Sequence, residues 1–262
     1  MMKKLLSTFS MMLIVITAYG QSCPDNNHPH AIDLGLPSGT KWACCNVGAD
    51  TPENFGNYYA WGETEEKTQY TRTSYIFGKD DHTPFYDIGM DIAGSQYDVA
   101  HVKWGDSWVM PTYNQILELQ QNCHAWPTEM NGIDGFLLWF NNDESIFLPA
   151  VGFRYDSEIN GSGKNAYYWA STRQDDNVFN AWALYYNVSI PGYLCTNDRS
   201  YGLCVRPVMG TVNDISLLTK PDGVSNHTIY NIYGIKVADN VDNTEALPSG
   251  IYIVNGKKMF VK

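Results

Sequence analysis

The stretch NAYYWASTRQDDNVFNAWALYYNVSIPGYLCTNDRSYGLCVRPV, from Asn165 to Val208, decides the fold expected of this chain. It predicts three strands joined by two polar loops. Many tyrosines and tryptophans crowd into it, namely Tyr167, Tyr168, Trp169, Trp182, Tyr185, Tyr186, Tyr193 and Tyr201. With amide and hydroxyl residues between them, these rings suit either a strand-rich core or an exposed recognition face. Helix-patterned stretches are few elsewhere, so the sequence predicts a strand-and-loop fold with little helix.

Residues 1–20 have the plan of a secretory signal peptide. Lys3 and Lys4 precede an apolar run, Leu5 to Ala18, which is shorter than the roughly 20 residues of a membrane-spanning helix. Cleavage is expected before Gln21. Cys23 raises the alternative of a lipid anchor, although the residues before it fit a lipoprotein box poorly. The sequence thus predicts export to the surface or exterior of a Gram-negative cell, with the periplasm as an alternative.

The charge of the chain argues against two classes of partner. Removing a leader that carries two lysines and no acid takes the net charge from -11 to about -13. Such a surface repels nucleic acid and anionic lipid heads, and there is no basic cluster to offset it. No later segment is apolar enough to span a membrane. Neither a nucleic-acid partner nor a transmembrane segment in the mature chain is therefore expected.

The rest of the chain divides into three parts by composition. Residues 21–30 form a polar linker, in which His28 and His30 could bind a metal. A flexible linker is the favoured interpretation, so neither a metal nor a cofactor is expected. Residues 31–209 form the main domain, and residues 210–262 form a small β module with two predicted strand pairs, 229–237 and 248–262.

Local signals within the main domain predict a series of elements. Short strands are expected over 41–47 and 58–62, followed by an irregular segment over 63–97. Asp98 is expected to cap one short helix that ends at Gly105. Thr112 and Gln115 have capping-box spacing and open the clearest helix, with Ile116, Leu119 and Cys123 on its apolar face. A hairpin is predicted from 136–140 and 146–149.

A disulfide is expected between Cys195 and Cys204, which flank a polar turn.

Several motifs, taken in order, resemble the Fibrobacter succinogenes major paralogous domain. They span residues 31–209 and are DLGL at 33, KWACCNVGA at 41, YYAWGET at 58, WGDSWVMPT at 104, SIFLPAVGFR at 145, YWAST at 168 and GLCVRPV at 202. The resemblance implies an α+β, C-type-lectin-like domain related to sulfatase-modifying enzymes, with short helices, twisted antiparallel sheets and long loops. Family position also implies a disulfide between Cys45 and Cys123. The C-terminal segments resemble the tails of exported Bacteroidota proteins, either sorting domains or plain appendages.

Three functional hypotheses follow. The first is a non-catalytic recognition module for a glycan or protein ligand. In the C-type-lectin-like fold, loops near the last strands bind; here they carry Arg173, Asp175, Asp176, Asn177, Asn180, Tyr193, Asn197, Asp198, Arg199 and Tyr201. Asn197, Asp198 and Arg199 are expected to reach solvent. The second is a structural or adhesin subunit of a surface assembly. The third, an enzyme, is disfavoured because no catalytic motif is present.

Overall fold

The computed structural model describes most of the main domain and four strands of the C-terminal part. The described residues are 27–78, 84–105, 107–187, 190–209, 228–231, 236–239, 250–254 and 257–261. The predicted signal peptide, its cleavage site and Cys23 lie outside these residues, as does most of the predicted linker. The chain divides into two compact units between Met209 and Gly210.

The fold of the described residues is mostly β-sheet with few helices. The helices are α1 (Val99–Trp104) and α2 (Tyr113–Asn122). The strands of the first unit are β1 (Ala31–Asp33), β2 (Lys41–Ala43), β3 (Trp108–Val109), β4 (His124–Met130), β5 (Ile133–Trp139), β6 (Ser145–Pro149), β7 (Phe153–Tyr155), β8 (Glu158–Asn160), β9 (Asn165–Arg173), β10 (Asn180–Asn187), β11 (Ile190–Asp198) and β12 (Val208–Met209). Those of the second unit are β13 (Thr228–Asn231), β14 (Lys236–Asp239), β15 (Gly250–Val254) and β16 (Lys257–Val261).

The strands of the first unit form four small sheets whose strand pairs are antiparallel. Their strand orders are β1-β2-β12-β3, β11-β10-β9, β4-β5-β6 and β7-β8. The second unit is a single antiparallel sheet in the order β14-β13-β15-β16. The predicted strand pairs of the C-terminal module are confirmed, while the turn between β15 and β16 lies outside the described residues.

The sheet β11-β10-β9 separates two apolar cores. Successive side chains of a strand point to opposite faces, so Tyr168 and Leu184 enter one core while Trp169 and Ala183 enter the other. The first core also receives Ile116 and the side chains of β5 and β6. The neighbouring aromatic residues Tyr168 and Trp169 of β9 therefore belong to different cores.

Both predicted helices are confirmed, together with their caps. The Thr112 side chain and Gln115 form a capping box, and Ile116 and Leu119 are fully buried. The buried carboxylate of Asp98 caps α1 by accepting from the backbone N–H groups of Ala100 and His101. It also accepts from Gly94 and Met110, each at 2.8 to 2.9 Å. One carboxylate thus fixes the helix start against β3.

The predicted hairpin is confirmed as β5 and β6, which pair from Gly135↔Pro149 to Trp139↔Ser145. Strand β4 was not predicted, because Pro127 and the polar residues around it hide its extended character. It pairs with β5 along its whole length. The sequence therefore missed the outer strand of this sheet.

Two predicted strands are shorter than expected. The strand predicted over 41–47 ends at Ala43, where the guanidinium of the fully buried Arg206 donates to the carbonyl oxygens of Ala43 and Cys44 and to the side chain of Asn46. Carbonyls held by a side chain are not available to a strand ladder. The strand predicted over 58–62 is reduced to one bridge, Tyr59↔Leu203.

The third predicted strand of the opening stretch also differs. β11 pairs with β10, but residues 199–207 form no regular strand. This segment crosses to the far side of β9, where Cys204 forms a parallel bridge with Tyr168.

Within the described part of the chain, no helix has the length and hydropathy needed to cross a bilayer.

Candidate functional site

Arg199, predicted to be an exposed ligand contact, is fully buried. Its Nε donates to the Tyr75 hydroxyl at 3.0 Å, and its Nη1 and Nη2 donate to the carbonyl oxygens of Val178 and Tyr86 at 2.9 and 3.2 Å. The guanidinium also lies 4.6 Å from the centre of the Trp61 ring. The prediction of a solvent-facing side chain is wrong here, because the guanidinium binds two separate segments of loop together.

Arg173 is also interior and keeps only 6% of its surface exposed. It lies at the end of β9, where the pairing with β10 shifts register before Ala181. Its Nη2 contacts the sulfur of Met90. Its Nε and Nη1 are buried without a hydrogen-bond partner in the described structure. Arg173 therefore does not belong to an exposed loop face either.

The other polar residues of the predicted turn are engaged with the protein. The Asp198 carboxylate accepts from Arg72 Nε at 2.8 Å and lies 2.6 Å from Arg72 Nη2. It also accepts from the backbone and the hydroxyl of Ser200. Asn197 lies on β11 and donates to the sulfur of Cys195 at 3.4 Å. The segment predicted to be a turn with three solvated side chains is instead the end of β11. The ion pair between Asp198 and Arg72 fixes this strand end.

The loop between β9 and β10 remains the exposed part of the prediction. Asp175 and Asp176 are exposed there. Asn177 accepts from the backbone of Phe179, and Asn180 donates to Gln174, so these two amides are used in local turns. No described contact joins these two acidic side chains to Tyr193 on β11 or to Tyr201 after it.

Tyr193 and Tyr201 belong to a different feature, which we name the aromatic row. It consists of six rings in contact: Tyr193, Tyr185, Tyr167, Phe153, Tyr201 and Tyr155. Consecutive ring centres lie 4.9, 4.6, 5.3, 5.7 and 5.2 Å apart. Contacting aromatic pairs have such spacings. The row crosses β11, β10 and β9 in register, because Tyr193 pairs with Tyr185 and Tyr185 pairs with Tyr167.

The two ends of the aromatic row are open to solvent. Tyr193 is 42% exposed and Tyr155 is 51% exposed, whereas Tyr185 in the middle is 8% exposed. Amide groups border the middle, where the Tyr185 hydroxyl donates to Asn165 Oδ1 at 3.1 Å and Asn187 donates to the same oxygen. The row thus offers flat apolar faces beside hydrogen-bonding groups.

Three hydroxyl groups of the row have a raised pKa, which favours their neutral form. Burial raises the pKa of Tyr167, Tyr193 and Tyr201, and neighbouring titratable groups raise each of them further. A neutral phenol both donates and accepts a hydrogen bond. The row can therefore hydrogen-bond hydroxyl groups of a ligand at its edges.

Sequence reasoning missed Phe153 and Tyr155 as members of the row. The signal was present, since residues two apart in a strand share a face, and the run Phe153-Arg154-Tyr155 alternates accordingly. What the sequence could not indicate is that β7 lies beside β9, or that Tyr201 stacks on Phe153 at an interplanar angle of 20°.

The predicted disulfide between Cys195 and Cys204 is absent, and both residues are free thiols. Cys195 pairs with Ala183 on β10, Ala183 pairs with Trp169 on β9, and Cys204 is bridged to Tyr168 on the other side of β9. Three strand spacings amount to about 14 Å, twice the roughly 7 Å limit between the Cα atoms of a disulfide. The prediction is wrong because the two cysteines are not hairpin partners.

The disulfide predicted between Cys45 and Cys123 is absent as well. Cys123 is a free thiol at the C-cap of α2, where burial, with a contribution from the charge of Glu118, raises its pKa to about 12. Cys45 instead lies beside Cys44. The hydrogen bond between the Cys45 and Cys44 side chains is the main cause that lowers the pKa of Cys44 to about 4. Hydrogen bonds from His30 and His28 act in the same direction.

Two shallow grooves lie away from the aromatic row. One, of about 290 Å³, runs along β4 and β5 between Thr128, Phe136 and Lys164. The other, of about 340 Å³, is lined by Tyr59, Glu65, Glu66, Lys103 and Trp104 among others. Neither groove includes a residue of the row or any of the predicted binding residues.

Comparison with known proteins gives one match. A family described as a domain of unknown function (DUF8237) matches residues 138–208, which run from β5 to β12 and include every residue of the aromatic row. No curated protein and no solved structure matches the chain.

Proposed function

We propose that this protein is an exported, non-catalytic recognition module that binds a glycan along the aromatic row. The observation that carries the proposal is the contiguous contact of six rings whose end members, Tyr193 and Tyr155, are about half exposed. The domain would be C-type-lectin-like and a member of the Fibrobacter succinogenes major paralogous family, as the ordered motifs suggest. Its binding face would lie on the sheet rather than on the loops expected from sequence.

The composition of the surface favours a glycan over a protein ligand. Aromatic faces stack on the apolar faces of sugar rings, while amides and phenols bond the sugar hydroxyls. The row is about one ring wide and bordered by Asn165 and Asn187. A stable protein partner generally needs about 800 Å² on each side. A narrow row with a polar border suits a chain-like, hydroxyl-rich ligand better.

The state of the thiols supports a non-catalytic role for the segment shared with DUF8237. Sulfatase-modifying chemistry needs reactive cysteines, and reactivity requires an accessible thiolate. Burial raises the pKa of Cys195 to about 11, and it raises the pKa of the fully buried Cys204 as well. Both groups are therefore protonated at neutral pH and unsuited to act as nucleophiles.

Export and surface location rest on the N-terminal pattern and the charge. The order of lysines, apolar run and small residues is that of a signal peptide, and the mature chain is strongly acidic. The C-terminal sheet β14-β13-β15-β16 would serve either as a sorting module or as a plain appendage. Intact-mass measurement of the exported protein tests cleavage before Gln21; a retained leader or a lipid on Cys23 would contradict it.

A glycan array tests the proposal directly. The purified wild-type chain is screened with and without calcium, next to a Tyr193→Ala/Tyr155→Ala variant. Trp126→Ala is the control, because Trp126 is an exposed aromatic residue (66%) on β4 and outside the row. We expect signals on defined glycans that the double variant loses and the control keeps. An array without signal for the wild type, or equal loss in both variants, contradicts the proposal.

A structural subunit of a surface assembly is the second candidate. β4 is the terminal strand of its sheet, and most of its residues are exposed, including Trp126. An open strand edge with an exposed aromatic residue can pair with another chain. Sedimentation over a range of protein concentrations tests this candidate: self-association abolished by Trp126→Asp would support it, and a monomer at all concentrations would remove it.

A further inference from the structure

Four side chains with metal-ligand chemistry meet where the chain enters β1. The ligand atoms of His28, Cys44 and Cys45 all lie within 4.8 Å of one another. His28 Nδ1 lies 3.0 Å from the Cys44 sulfur, and His30 Nδ1 lies 3.7 Å from that same sulfur. The two imidazole rings are in contact, with centres 4.9 Å apart. Two thiols and the His28 imidazole thus face one small volume, and the His30 imidazole borders it at the Cys44 sulfur.

The fold brings these residues together from two separate segments. β1 and β2 pair with Ala31 opposite Ala43, so the residues just beyond the ladder, His30 and Cys44, come to lie side by side. The backbone N–H of Cys44 donates to the His30 carbonyl at 2.9 Å, and the backbone N–H of His30 donates to the Cys44 sulfur at 3.1 Å. Arg206 holds the Cys44 carbonyl from the opposite side at 2.8 Å.

The chemistry of this set selects its ligand. Two sulfur and two imidazole donors are typical of structural zinc sites, which are closed and tetrahedral. With Zn–S near 2.3 Å and Zn–N near 2.0 Å, the S–N edge of such a tetrahedron is about 3.5 Å. The two observed sulfur–nitrogen distances, 3.0 and 3.7 Å, lie on either side of that value.

We propose that His28, His30, Cys44 and Cys45 form a structural zinc site that ties the segment before β1 to the end of β2. The two cysteines are fully buried and the two histidines are half-buried. Four protein ligands would complete the tetrahedral shell of a zinc ion and leave no position for a substrate. The site is independent of the aromatic row and of the proposed function. It replaces the expectation of a plain flexible linker around His28 and His30.

The proposal explains why vicinal cysteines stand at this position. A backbone N–H directed at a ligating sulfur and a backbone acceptor beside it are the outer contacts that orient metal ligands. Both are present at Cys44. The rings of His28 and His30 are in contact, so both imidazoles lie close enough together to bind one ion.

Metal titration of the purified chain tests the proposal. The protein is reduced, stripped with a chelator under anaerobic conditions, and titrated with Co²⁺ as a spectroscopic substitute for zinc, then with Zn²⁺. We expect one Co²⁺ per chain, with intense visible bands of a tetrahedral ion and a thiolate-to-cobalt charge-transfer band in the near ultraviolet. Added Zn²⁺ should displace the cobalt and bleach both bands.

Variants separate a real site from incidental thiol chemistry. Cys45→Ser should weaken the charge-transfer band by at least half, because only one of the two thiolates remains. His28→Asn and His30→Asn should each weaken Zn²⁺ binding at least 10-fold while far-ultraviolet circular dichroism stays unchanged. Cys195→Ser, a half-buried thiol elsewhere, is the matched control and should bind as the wild type does. Zinc should raise the melting temperature of the wild type but not that of Cys45→Ser.

Several results would overturn the zinc site. These are a cobalt spectrum of a six-coordinate ion without the thiolate band, equal loss of binding in Cys195→Ser, or unchanged binding in both histidine variants. Binding of Cu⁺ with no binding of Zn²⁺ or Co²⁺ would assign the residues to a different cation. A Cys44–Cys45 disulfide in the purified native protein, found by mass mapping without reduction, would also overturn it.

Discussion

At the scale of single residues, buried arginines organise the domain. Arg206 donates to four oxygen acceptors on two segments, residues 43–46 and Phe147, whose carbonyl lies at 2.9 Å. Arg199 donates to a hydroxyl and two carbonyls. Arg173, by contrast, keeps two guanidinium nitrogens without a partner in the described structure. A buried charge stabilises a fold only where its hydrogen bonds are made, so these arginines differ in what they contribute.

This contrast gives a paired prediction. Arg199→Met removes three hydrogen bonds made inside the protein, to the Tyr75 hydroxyl and to two carbonyl oxygens, so it should lower the free energy of unfolding by about 3 to 5 kcal/mol. Arg173→Met removes a buried charge that has few hydrogen bonds. It should change the free energy of unfolding by about 1 kcal/mol or less. Urea unfolding of both variants provides the measurement. Equal costs would mean that the hydrogen bonds of Arg199 are not what stabilises this region.

The sequence could not predict the role of Arg199. The run Thr196-Asn197-Asp198-Arg199-Ser200 is polar throughout and has the composition of a solvated turn. Its burial depends on Trp61 and Tyr75, which come from a segment more than a hundred residues earlier. Composition describes the residue and its neighbours in the chain, whereas burial is decided by distant segments.

At the scale of elements, the connection from β6 to β7 depends on Gly152. Its φ angle is +66°, and a Cβ there would lie 2.3 Å from the Asn160 carbonyl oxygen and 2.7 Å from the Ser162 nitrogen. Both are backbone atoms, which cannot move aside cheaply. The glycine allows β7, and with it Phe153 and Tyr155, to lie close to β8.

Gly152→Ala and Gly39→Ala form a matched pair. Both glycines have φ near +70°, but a Cβ at Gly39 meets nothing within 4 Å. Gly39→Ala should therefore cost only the left-handed conformation, about 1 kcal/mol. Gly152→Ala adds the clash and should cost at least about 3 kcal/mol. Thermal and urea unfolding compare them, and similar costs would show that close packing at Gly152 is not limiting.

Elements specified by local sequence could be predicted, and the others could not. The helix caps Asp98 and Thr112 can be recognised from a few neighbouring residues, and so can the alternating pattern of β5 and β6. β4 contains Pro127 and few apolar residues, so its extended character depends on its pairing with β5. The position of Cys204 beside β9 depends on a parallel bridge between distant segments, and the disulfide predictions failed for that reason.

At the scale of the whole molecule, the interior holds many tyrosines whose hydroxyls donate to backbone carbonyls. Tyr58 donates to Val151, and Tyr168 donates to Pro149. Burial raises the pKa of Tyr59 and Tyr70 to about 12, while charged neighbours modify the shift only secondarily. An ordinary tyrosine has a pKa of about 10. The folded state therefore favours the neutral phenols.

The domain should accordingly lose stability in alkali. A folded-state pKa above the unfolded value makes a contribution that is complete below about pH 10 and is lost as the pH rises to about 12. For Tyr59 and Tyr70 the loss is at most about 2.7 kcal/mol each. Urea unfolding at pH values from 8 to 12 should give a flat profile followed by a steep fall, together with tyrosinate absorbance. Undiminished stability near pH 12 would contradict the burial of these hydroxyls.

Both proposed sites are products of the whole fold. The aromatic row takes rings from β11, β10, β9, β7 and the segment after β11, and the proposed zinc site joins residues 28–30 to residues 44–45. The sequence indicated that aromatic residues were concentrated near the last strands and that Tyr193 and Tyr201 were candidates. It could not indicate that two further members of the row, Phe153 and Tyr155, would come from β7.

The central claim is that the aromatic row binds the ligand, and calorimetric titration of single variants tests it most directly. With the strongest glycan from the array, Tyr193→Ala and Tyr155→Ala should each lower the binding free energy by about 1 to 3 kcal/mol. Their stability should change by under about 1 kcal/mol, because both side chains are largely exposed. Trp126→Ala should bind as the wild type does. Unchanged affinity in both tyrosine variants, with Trp126→Ala weakened, would contradict the account.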